Sequence, residues 1–237
     1  MHSPPPPTAI KLIPPEILLL AYRSGVFPMA DSRDDEEVFW VEPRNRAIFP
    51  LDGFRMSRSL AKLIRQDRYE IRVDGDFSAV IGECAQPRID HPGTWISEVI
   101  DASYRNLHRQ GHAHSVECWH KRKLVGGLYG VAFDRVFCGE SMFTRADNAS
   151  KVALAALICL MRRAGYVLLD CQFMTDHLAS LGAVQVSRDD YQERLSAACE
   201  GSPRCTLLEA LEQLQEEAQA SASSPGKLIA QSFTHTS

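Results

Sequence analysis

Three polar residues lie inside apolar stretches of this sequence, where a polar group without a partner is costly. Glu140 is in the segment FCGESMF at 137–143, and Asp170 and Gln172 are in VLLDCQF at 167–173. If 167–173 is a strand, its twofold alternation places Asp170 and Gln172 on one face, so that an acid and an amide line one wall. The alternative is that each is a core residue satisfied by hydrogen bonds. Three such residues around one hairpin and one strand favour a site.

The elements that position these residues can be predicted from periodicity and from helix and turn signals. A helix begins at Pro15 and ends at Gly25, and FPMADSRDDEE at 27–37 is predicted as a loop. Proline residues favour short strands and turns over 38–54. A helix from Ser57, the strand YEIRVDGDF and the short helix FSAVIGECA follow.

After residue 94 the predicted order is helix, antiparallel meander, long helix, strand, short helix and strand. The meander consists of HAHSVECWH, KLVGGLYGVAF and VFCGESMF, the last two joined at Asp134 and Arg135. The long helix ASKVALAALICLMRRA begins after Asp147 or Asn148 and ends at Gly165. This order predicts an α/β (α+β) fold, with an acetyltransferase-like (GNAT-like) mixed sheet domain preceded by a small N-terminal α/β domain.

Four regions are expected along the chain. They are a disordered Pro-rich start at 1–13, the small N-terminal domain at 14–93, the acetyltransferase-like catalytic domain at 94–200, and a C-terminal helix and flexible tail at 201–237. In the meander, glycines at 126, 127, 130 and 139 predict a bulge or a close approach of backbone.

Composition limits the possible classes of protein. With 45% apolar residues among 237, the chain can bury a globular core. The net charge of −4 restricts any nucleic-acid contact to a local patch. Seven cysteines without a CxxC pair are typical of reduced thiols, and the N-terminus MHSPPPPT lacks the features of a signal peptide. We therefore expect a cytoplasmic protein.

Metal and covalent chemistry find little support in the sequence. His108, His112 and His114 are close together, but no carboxylate or thiol spacing completes a zinc site. Cys138 and Cys171 have no neighbouring histidine that would activate them. An acetyl-CoA site would need a glycine-bearing loop before the long helix, and TRADNASK contains no glycine. We expect neither a metal nor a cofactor.

The sequence as a whole resembles the bacterial leucyl/phenylalanyl-tRNA–protein transferase family. The resemblance rests on FPM near 27, RSLAK near 58, TWI at 94, HAHSVE at 112, LVGGLYGV at 124, FCGESMF, NASKVAL, LLDCQ and DHLASLGA, in order from about 15 to 195. Members of that family transfer leucine or phenylalanine from its tRNA to a protein's N-terminal arginine or lysine, which marks the protein for degradation. The implied partners are these two aminoacyl-tRNAs and such acceptor proteins. We expect no membrane contact and a monomer.

The resemblance implies a role for each of several residues. Asp170, Gln172 and Glu140 are the implied catalytic residues. Gln172 would hydrogen-bond the reacting amine or the developing oxyanion, and Asp170 would orient Gln172 and attract the amine's proton. Glu140 would hold an amine, with a structural salt bridge as the alternative. His177 and Ser180 would shape the acceptor side, although a helix cap and a surface histidine explain them nearly as well. The implied aminoacyl pocket is lined by Leu128, Phe137, Met142, Leu154 and Leu157. Core packing is the alternative for each of these five.

The tRNA contacts implied by the resemblance involve two groups of residues. Arg58, Lys62 and Arg65 on one helix face would meet acceptor-stem phosphates, with plain solvation as the alternative. Residues expected to stack on or flank the 3′ adenosine are Tyr22, Met29, Trp95 and Tyr104.

Two departures from the family's fuller pattern concern the donor's 3′ end. The chain reaches PPEILLLAYRSG without the longer N-terminal extension, and Met29 stands where longer members have tryptophan. A methionine contacts an adenine face less strongly than an indole does. Other hypotheses remain: an acetyl-CoA-dependent N-acetyltransferase, or a non-catalytic module that binds basic protein N-termini.

Overall fold

The computed structural model describes residues 11–87 and 93–234. The helices are α1 (Pro15–Arg23), α2 (Arg58–Arg65), α3 (Phe77–Cys84), α4 (Glu98–Arg109), α5 (Ala149–Ala164), α6 (Asp176–Leu181), α7 (Arg188–Cys199), α8 (Leu207–Ala220) and α9 (Pro225–Gln231). The strands are β1 (Phe27–Met29), β2 (Phe39–Val41), β3 (Asn45–Phe49), β4 (Glu70–Val73), β5 (Ala113–His120), β6 (Lys123–Phe133), β7 (Val136–Thr144), β8 (Leu168–Gln172) and β9 (Val184–Ser187). Predictions made for 1–10, 88–92 and 235–237 lie outside the described residues.

A seven-stranded mixed sheet in the order β4-β5-β6-β7-β8-β3-β9 holds the fold together. Its central pair, β7 and β8, is parallel, and the other neighbours are antiparallel. The parallel register runs from Val136 opposite Leu168 to Cys138 opposite Asp170 and then stops. Beyond that point the two strands separate, which opens a gap in the middle of the sheet. The mixed α/β class and the order of elements after residue 94 are confirmed.

The N-terminal strands differ from the prediction in one place. Residues 27–29, predicted as part of a loop, form β1, which pairs with β2 so that Phe27 faces Val41 and Met29 faces Phe39. In addition β3 and β4, from the predicted N-terminal domain, are strands of the large sheet, and β3 lies between β8 and β9. The partner of a short strand is set by tertiary hydrogen bonding, which local sequence does not encode. The boundary at 93 stays a prediction.

Helix α5 packs across the sheet with almost its whole surface buried. A side chain at Gly126 would bring its Cβ within 2.4 Å of the Ala149 Cβ, so this glycine allows the close approach that the sequence predicts. Gly165 ends α5 in the left-handed conformation at φ +83°, as expected. Asn148 begins the helix, but its side chain makes no capping hydrogen bond. Of the helices described, none is both long and apolar enough to cross a bilayer.

The C-terminal region contains more structure than the predicted helix and flexible tail. Helix α8 begins with a capping box in which Thr206 and Glu209 bond reciprocally, and it buries Leu211 and Leu214 in the core. The following Ser-rich segment leads into α9, whose Ile229 is 1% exposed. The serine content suggested a tail, whereas the few apolar residues of α9 are enough to dock it because α2 and α5 present a complementary surface.

Substitution of Gly226 by valine should undock α9. The Gly226 N–H donates to Asp67 at 2.8 Å, and a Cβ at this position would lie 1.9 Å from the Ile64 carbonyl oxygen. We expect a loss of about 1–3 kcal/mol in unfolding free energy, measured by urea denaturation. The control is Gly93→Ala, because a Cβ on Gly93 meets nothing within 4 Å. Equal stability of the two variants would contradict the tight contact.

Candidate active site

A cavity of about 460 Å³ occupies the gap between the separating strands β7 and β8. Most of its lining is apolar, and its polar lining residues include Glu140 and Gln172, which hydrogen-bond each other. Predicted site residues that line it are Met29, Trp95, Leu128, Glu140, Met142, Leu154, Leu157, Gln172 and His177. Cys171 also lines it, and further lining residues, which sequence reasoning missed, include Phe27, Leu169, Phe173 and Leu178.

Glu140 enters the cavity because it is the extra residue of a β-bulge in strand β7. Tyr129 on β6 pairs with Ser141, and the next residue, Gly130, pairs with Gly139, so Glu140 has no partner in the register. A bulge redirects a side chain that regular pleating would aim elsewhere. Gly130 also has no room for a Cβ, which would lie 2.2 Å from the Cys138 carbonyl oxygen. The glycines of this hairpin thus permit the bulge that the sequence predicts.

The Glu140 carboxylate accepts three hydrogen bonds. Its Oε1 accepts from the Tyr22 hydroxyl at 2.7 Å and from the Gln172 amide nitrogen at 3.0 Å, and its Oε2 accepts from the Tyr104 hydroxyl at 3.3 Å. The two tyrosine hydroxyls also lie within hydrogen-bonding distance of each other, so their two protons are shared among these contacts. Burial raises the pKa of Glu140 to about 8, and the bonds from both tyrosines oppose that rise only in part. The carboxyl group is therefore poised to exchange a proton near neutral pH.

Asp170 does not face the cavity. Its side chain is fully buried and forms a two-pronged ion pair with Arg46, whose Nε lies 2.8 Å from Oδ1 and whose outer nitrogen lies 2.6 Å from Oδ2. The Tyr191 hydroxyl donates to Oδ2 at 3.1 Å. Arg46 and Tyr191 were missed in the sequence. The only local signal for Arg46 is an arginine directly before the apolar residues AIF in strand β3, in which every residue after Asn45 is buried.

The predicted common wall of Asp170 and Gln172 is wrong, because strand β8 is irregular between them. Ile48 pairs with Asp170 and the next residue back, Ala47, pairs with Gln172, so Cys171 is passed over. Gln172 itself has φ +55°, a left-handed conformation that costs a non-glycine residue on the order of 1–3 kcal/mol. The Gln172 N–H donates to Asp170 Oδ1 at 2.9 Å and helps to hold this conformation. Only Gln172 lines the cavity.

Three other predicted site residues lie in the core. Tyr22 and Tyr104 are 1% and 0% exposed, so neither ring can stack on an adenosine. Both hydroxyls instead contact the Glu140 carboxylate. Phe137 is fully buried and packs against Gly130, away from the cavity wall where the aminoacyl pocket was expected. An aromatic residue in an apolar run signals burial equally well whether it faces a core or a pocket.

The remaining predicted residues lie at the surface. Arg58, Lys62 and Arg65 are exposed on α2, opposite its buried face. His177 lines the cavity, and partial burial together with the charge of Lys151 lowers its pKa. The Ser180 hydroxyl donates to the His177 carbonyl within α6 at 2.7 Å, whereas the side chain that caps this helix is that of Thr175. In residues 11–87 and 93–234, no group of three histidine, cysteine or acidic side chains is arranged to hold a metal ion.

Comparison with known proteins identifies the family. Residues 12–44 match the model for the leucyl/phenylalanyl-tRNA protein transferase N-terminal domain, and residues 48–196 match the model for leucyl/phenylalanyl-tRNA protein transferase. The protein of that name from Novosphingobium aromaticivorans is 50% identical, over 95% of this chain and 97% of that protein. Its counterpart from Rhizorhabdus wittichii is 58% identical, over 80% of this chain and 76% of that protein. Because both family models match, one after the other along the sequence, the chain belongs to the leucyl/phenylalanyl-tRNA–protein transferase family.

Proposed function

We propose that this chain is an aminoacyltransferase that moves leucine or phenylalanine from an aminoacyl-tRNA to the N-terminal arginine or lysine of an acceptor protein. The observation that carries the proposal is the apolar cavity that ends at the hydrogen-bonded Glu140 and Gln172 pair. An apolar chamber suits the donor's side chain, and the polar pair suits its ester and amine. Family membership supports the same reaction and disfavours acetyl-CoA as donor.

The apolar wall provides affinity for the aminoacyl side chain. Leu128, Met142, Leu154 and Leu157 line it, and each buried CH₂ of a substrate contributes about 0.8 kcal/mol. That is enough to favour leucine or phenylalanine over alanine. Rejection of β-branched residues depends on shape, because one methylene contributes only about 1–3 kcal/mol.

The reaction requires little beyond positioning. The neutral acceptor amine attacks the ester carbonyl carbon, a C–N bond forms, the C–O bond to the ribose breaks, the amine loses a proton and the ribose oxygen gains one. Holding amine and ester together can supply up to about 7–11 kcal/mol. In the proposed roles, Gln172 hydrogen-bonds the amine or the developing oxyanion, and Glu140 holds an amine, either that of the donor or the basic end of the acceptor.

The donor's RNA would approach from the side of Met29 and Trp95, which border the cavity. Their side chains can flank the 3′ adenosine, because aromatic and thioether groups pack well on a base. Arg58, Lys62 and Arg65 would bind acceptor-stem phosphates. We also propose that the enzyme acts in the cytoplasm, as a monomer and without a cofactor.

The test uses purified protein, labelled leucyl-tRNA or phenylalanyl-tRNA, and two peptides that differ only in an N-terminal arginine or alanine. We expect label on the arginine peptide alone, at the same rate with and without EDTA. Acetyl-CoA is tested as a donor in parallel. Absence of transfer from either tRNA, or transfer of acetyl groups instead, would refute the proposal.

Substitution of Leu157 by alanine should weaken donor binding. The change removes apolar surface worth about 2 kcal/mol to the aminoacyl group, so KM for leucyl-tRNA should rise about thirtyfold with little change in kcat. Phenylalanyl-tRNA, with the larger side chain, should lose less because it can fill the enlarged space. Leu208→Ala on the exposed face of α8 is the control. Unchanged KM for both donors would place the aminoacyl group elsewhere.

A further inference from the structure

The ion pair between Arg46 and Asp170 forms a closed unit behind the cavity. Arg46 is 2% exposed, and besides its two bonds to Asp170 it donates to the Gly25 carbonyl at 2.9 Å. Its guanidinium group lies between two aromatic rings, 4.7 Å from the centre of Phe27 and 4.5 Å from the centre of Tyr191. This side chain is therefore held on every side.

Both oxygens of Asp170 are fully used within this unit. Oδ1 accepts from Arg46 and from the backbone N–H of Gln172, and Oδ2 accepts from Arg46 and from the Tyr191 hydroxyl. Burial and then the Asp170 charge raise the pKa of Tyr191, which keeps its hydroxyl protonated as a donor. No substrate atom can reach the carboxylate while these bonds persist.

The unit is connected to the cavity through the backbone of Gln172. Asp170 Oδ1 holds the Gln172 N–H, the Gln172 φ of +55° turns its side chain, and its amide nitrogen then reaches Glu140 at 3.0 Å. A left-handed residue persists only where surrounding contacts determine it. The direction of the Gln172 amide thus depends on how firmly Asp170 is held.

We propose that Arg46 and Tyr191 are positioning residues of the transferase: they clamp Asp170 so that its carboxylate fixes the left-handed backbone of Gln172 and aims the Gln172 amide into the cavity. The proposal rests on the proposed function for its kinetic consequences. It assigns Asp170 the role of an anchor that keeps its bonds to Arg46, Tyr191 and the Gln172 N–H through the reaction. The proton lost by the amine consequently goes to a group other than Asp170.

Two conservative variants test the clamp in the full-length protein. Tyr191→Phe removes one hydroxyl and keeps the ring on Arg46, and it should lower kcat on the order of tenfold. Arg46→Lys keeps the charge but cannot contact both oxygens of Asp170 in the two-pronged geometry of arginine. It should lower kcat on the order of a hundredfold, because a small displacement of a positioning group lowers the rate strongly. KM for the aminoacyl-tRNA should not change, and the shape of the pH–rate profile should stay that of the wild type.

Matched controls make the same chemical changes elsewhere. Tyr166→Phe alters another buried tyrosine, and Arg23→Lys alters the exposed pair with Asp134. Both should keep the wild-type kcat. In the background of Asp170→Asn, Arg46→Lys should have little further effect on kcat, because residues that act as one unit are not additive.

Hydrogen exchange at the Gln172 backbone amide gives a readout that does not depend on activity. Both clamp variants should speed this exchange at least tenfold, with melting temperatures that show folded protein. Wild-type kcat together with wild-type Gln172 exchange in both variants would overturn the proposal. So would a loss of kcat that is confined to one limb of the pH profile, since that would identify Asp170 as a base. If the wild-type protein transfers no amino acid, the proposed function fails, whereas the exchange rates still decide whether the clamp holds Gln172.

Discussion

Arg46→Met should lower the unfolding free energy by about 3–5 kcal/mol, the cost of leaving a buried charge without its partner. The charge left without a partner is that of Asp170, which is fully buried and whose Oδ2 lies 2.6 Å from the Arg46 guanidinium group in the wild type. Urea denaturation at pH 7 measures the effect. The double variant Arg46→Met/Asp170→Leu should recover only part of the loss, because it removes both charges but leaves the Tyr191 hydroxyl and the Gln172 N–H without their acceptor.

The control for this expectation is Arg23→Met, which breaks an ion pair of similar geometry at the surface. Arg23 Nε lies 2.9 Å from Asp134, but the two side chains are 42% and 24% exposed. Exposed pairs contribute about 0–1 kcal/mol. If Arg46→Met lowered the unfolding free energy no more than Arg23→Met, the Asp170 carboxylate would have to reach solvent or another donor in the variant. Arg46 and Tyr191 would then not enclose Asp170 as proposed.

Glu140→Gln should make the protein more stable in alkaline solution and much less active. The pKa of Glu140 is raised from 4.5 to about 8 in the folded state, so the folded protein keeps a proton there that the unfolded chain releases. Wild-type stability therefore falls as pH rises through this window, and it levels off above the folded pKa. Between about pH 5 and pH 8 the variant should gain about 3 kcal/mol on the wild type, because glutamine cannot ionise.

The kcat/KM of Glu140→Gln measures the contribution to the reaction of a carboxylate that destabilises the fold when it is ionised. Glutamine can neither ionise nor accept a proton, so the substitution should lower kcat/KM on the order of a hundredfold at and above about pH 8, where Glu140 is ionised. Stability is followed by thermal melts across the pH range, with the exposed Glu212→Gln as control. A parallel pH dependence in wild type and Glu140→Gln would show that Glu140 is ionised as usual. Unchanged kcat/KM would show that Glu140 has no part in the reaction.

Much of the secondary structure could be predicted because its signals are local. The apolar run of α5 is followed by Gly165, a residue that takes the left-handed conformation readily, and the meander β5–β7 follows from glycine-containing apolar runs and a tight turn at Asp134 and Arg135. The polar residues Glu140 and Gln172 were recognised for the same reason, since each interrupts an apolar run. The short strand β1 was missed because three residues carry too weak a pattern.

Only the tertiary structure decided which polar residues reach the substrate. Strand alternation places Asp170 and Gln172 on one face, but a one-residue irregularity opposite Ala47 separates them, and a register shift of this kind depends on the neighbouring strand. The partner of Asp170 is Arg46, 124 residues away in sequence. Tyr22 and Tyr104 were predicted to contact RNA but are buried and bonded to Glu140, because this contact too joins segments far apart in the sequence. Composition and periodicity determine that a residue is buried or polar, whereas its neighbours, and so its chemistry, follow from contacts between segments far apart in the chain.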